Sequence, residues 1–482
     1  MKVLNIQSVV RIIGFLLLIE AFFMLLATCV SIGYQENFWP LLFGSCTTAI
    51  AGGLSILFCP GKQPMGKREG YLIVASIWVV FSLFGLIPYY TGNYIPSFTD
   101  AFFEAISGFT ATGASTIVDV EALPNGILFW RTLCQWIGGM GIIILSLAII
   151  PMVSDGSMSL LAAEITGPTK EKVHAKVAQT AKAIWGIYVA LSLIEAGALW
   201  LADMEPFDAI CHAFSTISTG GLSTKNNGLM YWDSATIDYI IMVFMFLGGV
   251  NFSLIYLFIK GQFGKMLKNE EFQWYSASIL IFAAIMLITL LVYHTDLEIA
   301  TSIRYALFNM SSLISTTGFS HVDYTQWSPF IWTFMLFAML LGGSSGSTSG
   351  GIKTVRIVLL LKNSYYEFKR LIHPNAVIPV RFNGHVVNTQ IINNVLAFIF
   401  MYVIVMGVSI IIFTATGLGF DESVGTTFAA LTNVGLSMGE IGTGDYSTLS
   451  TFAKWYMSFL MLVGRLEVFT VLIVLTPAFW KK

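Results

Sequence analysis

Apolar runs of about twenty residues or more succeed one another along nearly the whole chain, parted by short polar stretches. A helix needs about 20 apolar residues to cross a ~30 Å hydrocarbon layer, and the runs at 9–32 and 39–58 meet that length back to back. The first is too long for the apolar core of a cleaved leader, so both are expected to remain as helices. Beyond them the pattern becomes a repeated triplet. Long apolar helices are expected to begin near Tyr71, Ala178, Phe272 and Ile391. Each is followed by a shorter amphipathic segment and then by a closing helix, at 126–152, 234–259, 328–361 and 452–476.

The short segments align without gaps. Asp100 opens DAFFEAISGFTATGAS, Asp208 opens DAICHAFSTISTGGLS, Tyr305 opens YALFNMSSLISTTGFS and Glu422 opens ESVGTTFAALTNVGLS. Each ends in Gly-x-Ser, and Gly113, Gly221, Gly318 and Gly435 fall thirteen positions after the opening residue although they lie 108, 97 and 117 residues apart. An internal repeat is the first feature to seek in a chain; four ordinary re-entrant loops or helix ends are the competing reading. The expected fold is all-α and polytopic. A helix pair with a basic linker (1–69) precedes four tandem helix/pore-loop/helix repeats, at 70–155, 156–268, 269–372 and 373–482, around a pseudo-fourfold pore.

Irregular backbone is tolerated at membrane depth only where protein buries it or water fills a cavity, so four such loops should converge on an aqueous path. A monovalent cation entering a narrow path loses hydration water, and carbonyl oxygens replace that water without adding net charge. The candidate ligands are the carbonyls of Thr112, Gly113, Gly220, Gly221, Thr317, Gly318, Val434 and Gly435. Glycine tolerates the φ/ψ values that aim successive carbonyls at an axis, and it brings no side chain to block it. If each segment is a short helix ending before its glycine, its negative end points at the ion. Asp100, Asp208 and Glu422 stand where acids stabilise the opposite end. The third repeat has Arg304 and Tyr305 there instead, so the symmetry is expected to be imperfect.

Composition agrees with the spans: 56% of the 482 residues are hydrophobic and 11% charged, with a mean hydropathy of +0.77, against about 25% charged in a soluble domain. The net charge of −2 says little; placement says more, because short cytoplasmic loops hold the Lys/Arg excess. Twenty of the 25 basic residues, from Lys2, Arg11, Lys62, Lys67 and Arg68 to Lys481 and Lys482, fall on one side. That side is expected to be cytoplasmic, with both termini inside and the Gly-x-Ser segments facing out. Only Arg131, Lys225, Arg304 and Lys454 are basic on the outer side, while Asp119, Glu121, Asp203, Glu205, Asp233, Asp296, Glu298, Asp323, Glu440 and Asp445 lie in outward connections. Such a surface concentrates cations; solvated loops are the plainer reading of any one of these acids. Cys29, Cys46, Cys59, Cys134 and Cys211 show no metal-like spacing and read as small buried hydrophobes.

Two interruptions suggest a gate. The third closing helix contains the ten-residue run Gly342-Gly343-Ser344-Ser345-Gly346-Ser347-Thr348-Ser349-Gly350-Gly351, followed by Lys353 and Arg356. Ten small residues cannot hold a stable helix, and the break is expected near mid-membrane as a mobile loop obstructing the path; a close-packing small-residue face competes with this. Lys353 and Arg356 could anchor the loop or simply snorkel. Arg465 and Glu467 interrupt the last span, where ionisable residues are costly. Arg465 is expected to face the conduit as a barrier to cations and Glu467 to seek another partner. A structural ion pair is the alternative.

The Gly-x-Ser segments, the GGSSGSTSGG break and the VGRLEVF stretch together closely resemble the Trk/Ktr/HKT superfamily of potassium transporters, over essentially the full chain and specifically its TrkH-type uptake subunits, which carry the extra N-terminal helix pair. By that resemblance Gly113, Gly221, Gly318 and Gly435 are selectivity-filter glycines, Gly342, Gly343, Gly346, Gly350 and Gly351 belong to a gating loop with Lys353 beside it, and Arg465 is the pore arginine. Relatives that favour sodium carry serine in place of the first-repeat glycine, so Gly113 implies potassium. The resemblance also implies a bacterial inner-membrane homodimer joined to a cytoplasmic TrkA-type nucleotide-binding ring. No cofactor is expected to be tightly bound in this chain and no nucleic acid is implied.

A cation-coupled transporter would also show glycine-broken spans, usually as two inverted repeats, and Glu467 or Glu104 could then carry protons. An enzyme finds little support: there is no HExxH, no GxSxG nucleophile elbow and no P-loop, and His174, His212, His294, His321, His373 and His385 are scattered. His212 occupies the place of Glu104 in the second segment and reads as a packing or hydrogen-bonding residue.

Overall fold

The computed structural model describes residues 4–59, 66–153, 170–293, 298–322, 324, 327–442 and 444–481. Its first two helices, Ile6–Gly33 and Trp39–Phe58, form a hairpin. They cross where a Cβ on Gly14 would stand 2.8 Å from the Gly52 carbonyl oxygen, and one on Gly52 2.8 Å from that of Gly14. Helices in lipid gain little from hydrophobicity and associate by such close backbone approach.

Four helical triplets follow. The long opening helices are Lys67–Gly85, Lys170–Leu201, Glu270–Tyr293 and Thr389–Ala415. The short helices are Phe98–Phe109, Pro206–Ile217, Ile299–Ile314 and Phe420–Thr432. The chain is therefore an all-α polytopic membrane protein; the β-hairpin Arg381–Phe382 with His385–Val386 is a small addition. Among the described residues six helices are long and apolar enough to cross a membrane, or eight if two bent pairs are counted.

The closing helices depart from expectation. Only Asn125–Val153 is continuous. The second bends by 105° between Ala235–Gly248 and Phe252–Ile259, and the fourth by 116° between Thr451–Arg465 and Val468–Leu475. In the second, the Asn251 side chain accepts from the Ser253 amide and starts a new helix after Gly248 and Gly249. In the fourth, Glu467 sits at φ +63°, a left-handed conformation that no helix interior accommodates. The third breaks as expected, between Pro329–Leu340 and Thr354–Ile372.

Polarity is inverted relative to a soluble protein. Leu193, Leu280, Ile288, Phe400 and Ile411 are exposed, whereas Ser107, Thr110, Gln135, Ser215, Thr216, Ser312, Thr317 and Asn433 are fully buried about the ends of the short helices. Cys134 and Cys211 are buried as expected, but Cys29 and Cys46 are exposed on the apolar outer face. Lys2, Lys62, Asp296, Asp323, His294, Lys482 and the boundary at 155/156 lie outside the described residues.

Candidate functional site

The four short helices end alike. Ala111, Thr219, Thr316 and Asn433 adopt left-handed φ of 51°, 55°, 58° and 55°. Their amides bond the carbonyls three residues back (Gly108, Thr216, Leu313, Ala430), and the next amides, of Thr112, Gly220, Thr317 and Val434, bond those five back (Ser107, Ser215, Ser312, Ala429) at 2.8–3.1 Å. This is the Schellman arrangement, which satisfies the last helical carbonyls while turning the chain away.

The chain then reaches the repeated glycines, at φ +80° (Gly113), +75° (Gly221), +81° (Gly318) and +79° (Gly435). A Cβ on Gly113 would lie 2.2 Å from the Gly220 oxygen, one on Gly221 2.2 Å from Thr317 O, one on Gly318 1.8 Å from Val434 O and one on Gly435 2.2 Å from Thr112 O. Each turn thus abuts the next, and the fourth returns to the first. The eight residues predicted as ligands are brought together in one closed ring, and a side chain at any of the four glycines would strike a neighbouring carbonyl.

Side chains from behind hold the ring. Glu104 accepts from the Ser115 hydroxyl (3.1 Å) and the Thr116 amide (3.2 Å) and pairs with Arg131, which also donates to Ser223 O of the second turn. His212, in the equivalent place, bonds Ser223 Oγ at 3.0 Å and Asp208 O at 2.8 Å, a structural role as expected. Asn433 Nδ2 donates to Thr112 Oγ1 and Met461 O, each at 2.9 Å. Tyr446 donates to Gly435 O at 2.9 Å. The four basic residues expected on the outer side are all paired: Arg131 with Glu104, Lys225 with Asp208 (3.2 Å), Arg304 with Asp238 (3.4 Å) and Lys454 with Asp100 (2.7 Å). His321 also lies 3.8 Å from Asp238, but burial, aided by Arg304, pushes its pKa down to about 3, so Arg304 is the ion-pair partner at neutral pH.

The expected outer acids are only partly free. Glu205 and Glu298 precede the first residues of the second and third short helices. The third helix starts at Ile299, a turn and a half before Tyr305; its N-cap Glu298 makes no capping hydrogen bond and its first turn holds no acid, so this repeat departs from the other three as expected. Asp119 accepts from the Asn226 side chain at 2.9 Å and Glu121 from its amide at 3.0 Å, joining the first repeat to the second.

Directly beneath the ring lies the small-residue stretch. Thr348 Oγ1 contacts the carbonyls of Ile217 (2.9 Å) and Gly248 (3.0 Å), and the Gly350 amide donates to Thr316 Oγ1 at 2.6 Å. A Cβ on Gly350 would meet Thr432 O at 2.4 Å. The stretch therefore presses on the turns of repeats 2, 3 and 4. Arg465 is buried and donates to Thr348 O at 2.6 Å; Lys353 donates to Ser349 O. Glu271 accepts from the Ser345 amide at 2.5 Å. Arg356 pairs not with the stretch but with Glu467, at 2.6 Å, which is the partner Glu467 was expected to seek. Below opens a cavity of about 1340 Å³ lined in part by Asn251, Glu271, Gly350, Lys353 and Arg465.

Two features escaped sequence reasoning. A Cβ on Gly138 would meet Phe109 O at 1.9 Å, and one on Gly464 Leu431 O at 2.3 Å. These closing-helix glycines let backbone touch the ends of the short helices, and the glycine pairs 138–139, 248–249 and 342–343 were the available signal. Gln135, whose amide touches the Gly220 carbonyl at 2.7 Å, gave no signal at all.

Comparison with known proteins agrees across the full length. The family model TrkH, described as "Cation transport protein", matches residues 41–482. The Trk system potassium uptake protein TrkH of Salmonella typhimurium is 36% identical, covering 99% of this chain and 100% of that protein. The Trk system potassium uptake protein TrkG of Escherichia coli is 30% identical over 100% of both. The crystal structure of the potassium transporter TrkH from Vibrio parahaemolyticus superposes with a TM-score of 0.91 at 35% identity, covering 99% of this chain and 100% of that one.

Proposed function

We propose, because this chain belongs to the TrkH family of cation transport proteins, that its ring of turns is a potassium-selective filter in a path for potassium uptake across the bacterial inner membrane. The family is one of transporters, not enzymes, and this chain transports potassium across a membrane. The observation that carries the filter reading is the closed circuit of glycine against carbonyl, from Gly113 to Gly220, Gly221 to Thr317, Gly318 to Val434 and Gly435 to Thr112. Only a common axis brings four separate turns into such succession, and carbonyls around an axis are the ligands that replace a cation's water.

The stretch from Gly342 to Gly351 is the gate of that path. It lies against three of the turns, and two cations, Lys353 and Arg465, hold its carbonyls. Arg465 places a positive charge under the filter, opposing an entering cation until the loop moves. A cytoplasmic TrkA-type nucleotide-binding ring and a second copy of the chain complete the assembly; that these relatives are named as proteins of a Trk system supports a chain that works with further components. The basic side of the chain, onto which the cavity opens, is cytoplasmic, with both termini there.

The test is potassium-limited growth of a bacterium without its own uptake systems, with Gly113→Ser in parallel. The unaltered chain with its regulator should rescue growth and the variant should admit sodium; failure of rescue despite membrane expression overturns the reading. Coupled symport is the second reading. Glu104 and Glu467 are both ion-paired, but Glu20 is fully buried beside Gly85 and neither of its carboxyl oxygens has a hydrogen-bond partner among the described residues. A reversal potential across a potassium gradient that shifts with pH, and no longer shifts in Glu20→Gln, would favour symport.

A further inference from the structure

We infer that Gln135 is a specificity-determining residue of the ion path: from the first closing helix it takes the place of a side chain that the second repeat lacks, and it sets the Gly220 carbonyl. This rests on the filter reading above.

The residues immediately before the four ring glycines are Thr112, Gly220, Thr317 and Val434. Three of them carry side chains packed behind the ring. Thr112 Oγ1 bonds Thr110 Oγ1 at 2.8 Å and receives Asn433 Nδ2 at 2.9 Å, Thr317 Oγ1 bonds Ser315 Oγ at 2.7 Å, and Val434 is buried. Gly220 stands alone without one, and its backbone does not explain why, since its φ is not positive. The space explains it. A Cβ there would meet Gln135 Cδ at 2.4 Å and both of its amide heteroatoms at 2.6 Å.

The amide also takes over hydrogen bonds. In repeats 1 and 3 the serine six residues before the ring glycine donates to the carbonyl just after that glycine: Ser107 to Ala114 O at 2.6 Å and Ser312 to Phe319 O at 2.7 Å. In repeat 2 the corresponding Ser215 is diverted to Gln135 Oε1 at 2.8 Å, and Gln135 Nε2 donates to Gly220 O at 2.7 Å. That oxygen is also the one facing Gly113. One of the ring carbonyls is thus fixed by a fully buried donor from another repeat. Carbonyl position and field strength are what distinguish one alkali ion from another in such sites, so the asymmetry bears on selectivity and not only on packing.

The experiment uses the full chain reconstituted in lipid vesicles and reads the ratio of potassium to sodium flux. Gln135→Met keeps the volume and loses the donor; Gln135→Asn keeps an amide that no longer reaches. Losing one buried hydrogen bond should shift the ratio about fivefold in each, with Gly113→Ser as the reference change in the filter. Gly220→Thr alone should nearly abolish flux, and adding Gln135→Ala should recover it at least tenfold, a coupling that sites acting independently do not show. If Gly113→Ser shifts the ratio while both single Gln135 variants, purified monodisperse, stay within twofold of the unaltered chain, the inference is overturned and the filter reading stands. If Gly113→Ser leaves it unchanged as well, both fall.

Discussion

In the ring every repeated glycine holds a positive φ and faces the backbone of the next turn at a distance no Cβ could share, whereas in the small-residue stretch below only Gly346 and Gly351 have positive φ, at 75° and 65°. The ring is determined several times over, by Schellman bonds in each repeat, by Glu104, Arg131 and Asn433 behind it, and by its own closure. The stretch is held from its edges by hydroxyls, two cations and one carboxylate. Similar composition thus yields a ring whose four repeated glycines are all wedged against the next turn, and a stretch in which Gly342, Gly343 and Gly350 are wedged as well while Gly346 is tied only to the Asn251 side chain.

The sharpest way to break that comparison pairs two substitutions with matched backbone strain. Gly318 and Gly346 both lie at strongly positive φ, +81° and +75°. A Cβ on Gly318 would meet a carbonyl at 1.8 Å, but one on Gly346 meets only the Asn251 side chain, at 3.3–3.4 Å. Gly318→Ala should lower potassium uptake about a hundredfold, combining strain with overpacking of about 3 kcal/mol. Gly346→Ala should cost less than about tenfold. Equal losses in rubidium uptake would remove the distinction between wedged and tied glycine.

Arg465→Ala addresses the tied region and has the opposite sign. It removes the charge and the bond to Thr348 O, and a hydrogen bond from a charged group contributes about 1.5–3 kcal/mol. Potassium flux through the reconstituted chain should rise about tenfold; unchanged flux would reject Arg465 as a barrier. Glu271→Gln should act in the same direction and more weakly. Its amide can still accept from Ser345 N, though without the negative charge that strengthens such a bond, so flux should rise about threefold. A larger rise than in Arg465→Ala would place the main restraint of the loop at Glu271.

These two regions were not equally legible in the sequence. The ring announced itself because a repeat of Gly-x-Ser at fixed spacing is a one-dimensional signal, and the loop because ten small residues break any hydrophobic run. The bends after Gly248 and at Glu467 were hidden, since 234–259 reads as an unbroken apolar span, Arg465 and Glu467 mark the last span as polar but not as bent, and hydropathy does not register backbone direction. Pairings such as Arg131 with Glu104 or Arg356 with Glu467 join residues 27 and 111 positions apart, which a charge count cannot anticipate. Gln135 was invisible for the same reason. Its meaning lies in the side chain that Gly220 does not have.

The smallest effect tests whether the rigidity of the ring resides in its closure or in its helix ends. Ala111 is an alanine in the left-handed conformation that ends a helix, at φ +51°, where an L-residue costs about 1 kcal/mol relative to glycine. Its side chain is one buried methyl group. Ala111→Gly should relieve that strain, but glycine also gains freedom in the unfolded chain, so the net stabilisation is below about 1 kcal/mol. The thermal midpoint of the purified protein should rise by about 1–2 °C, with potassium uptake unchanged, because the Thr112 and Gly113 carbonyls are positioned by the neighbouring turns and not by this torsion. A stabilised protein that lost potassium over sodium preference would show instead that strain at Ala111 sets the geometry of the ring.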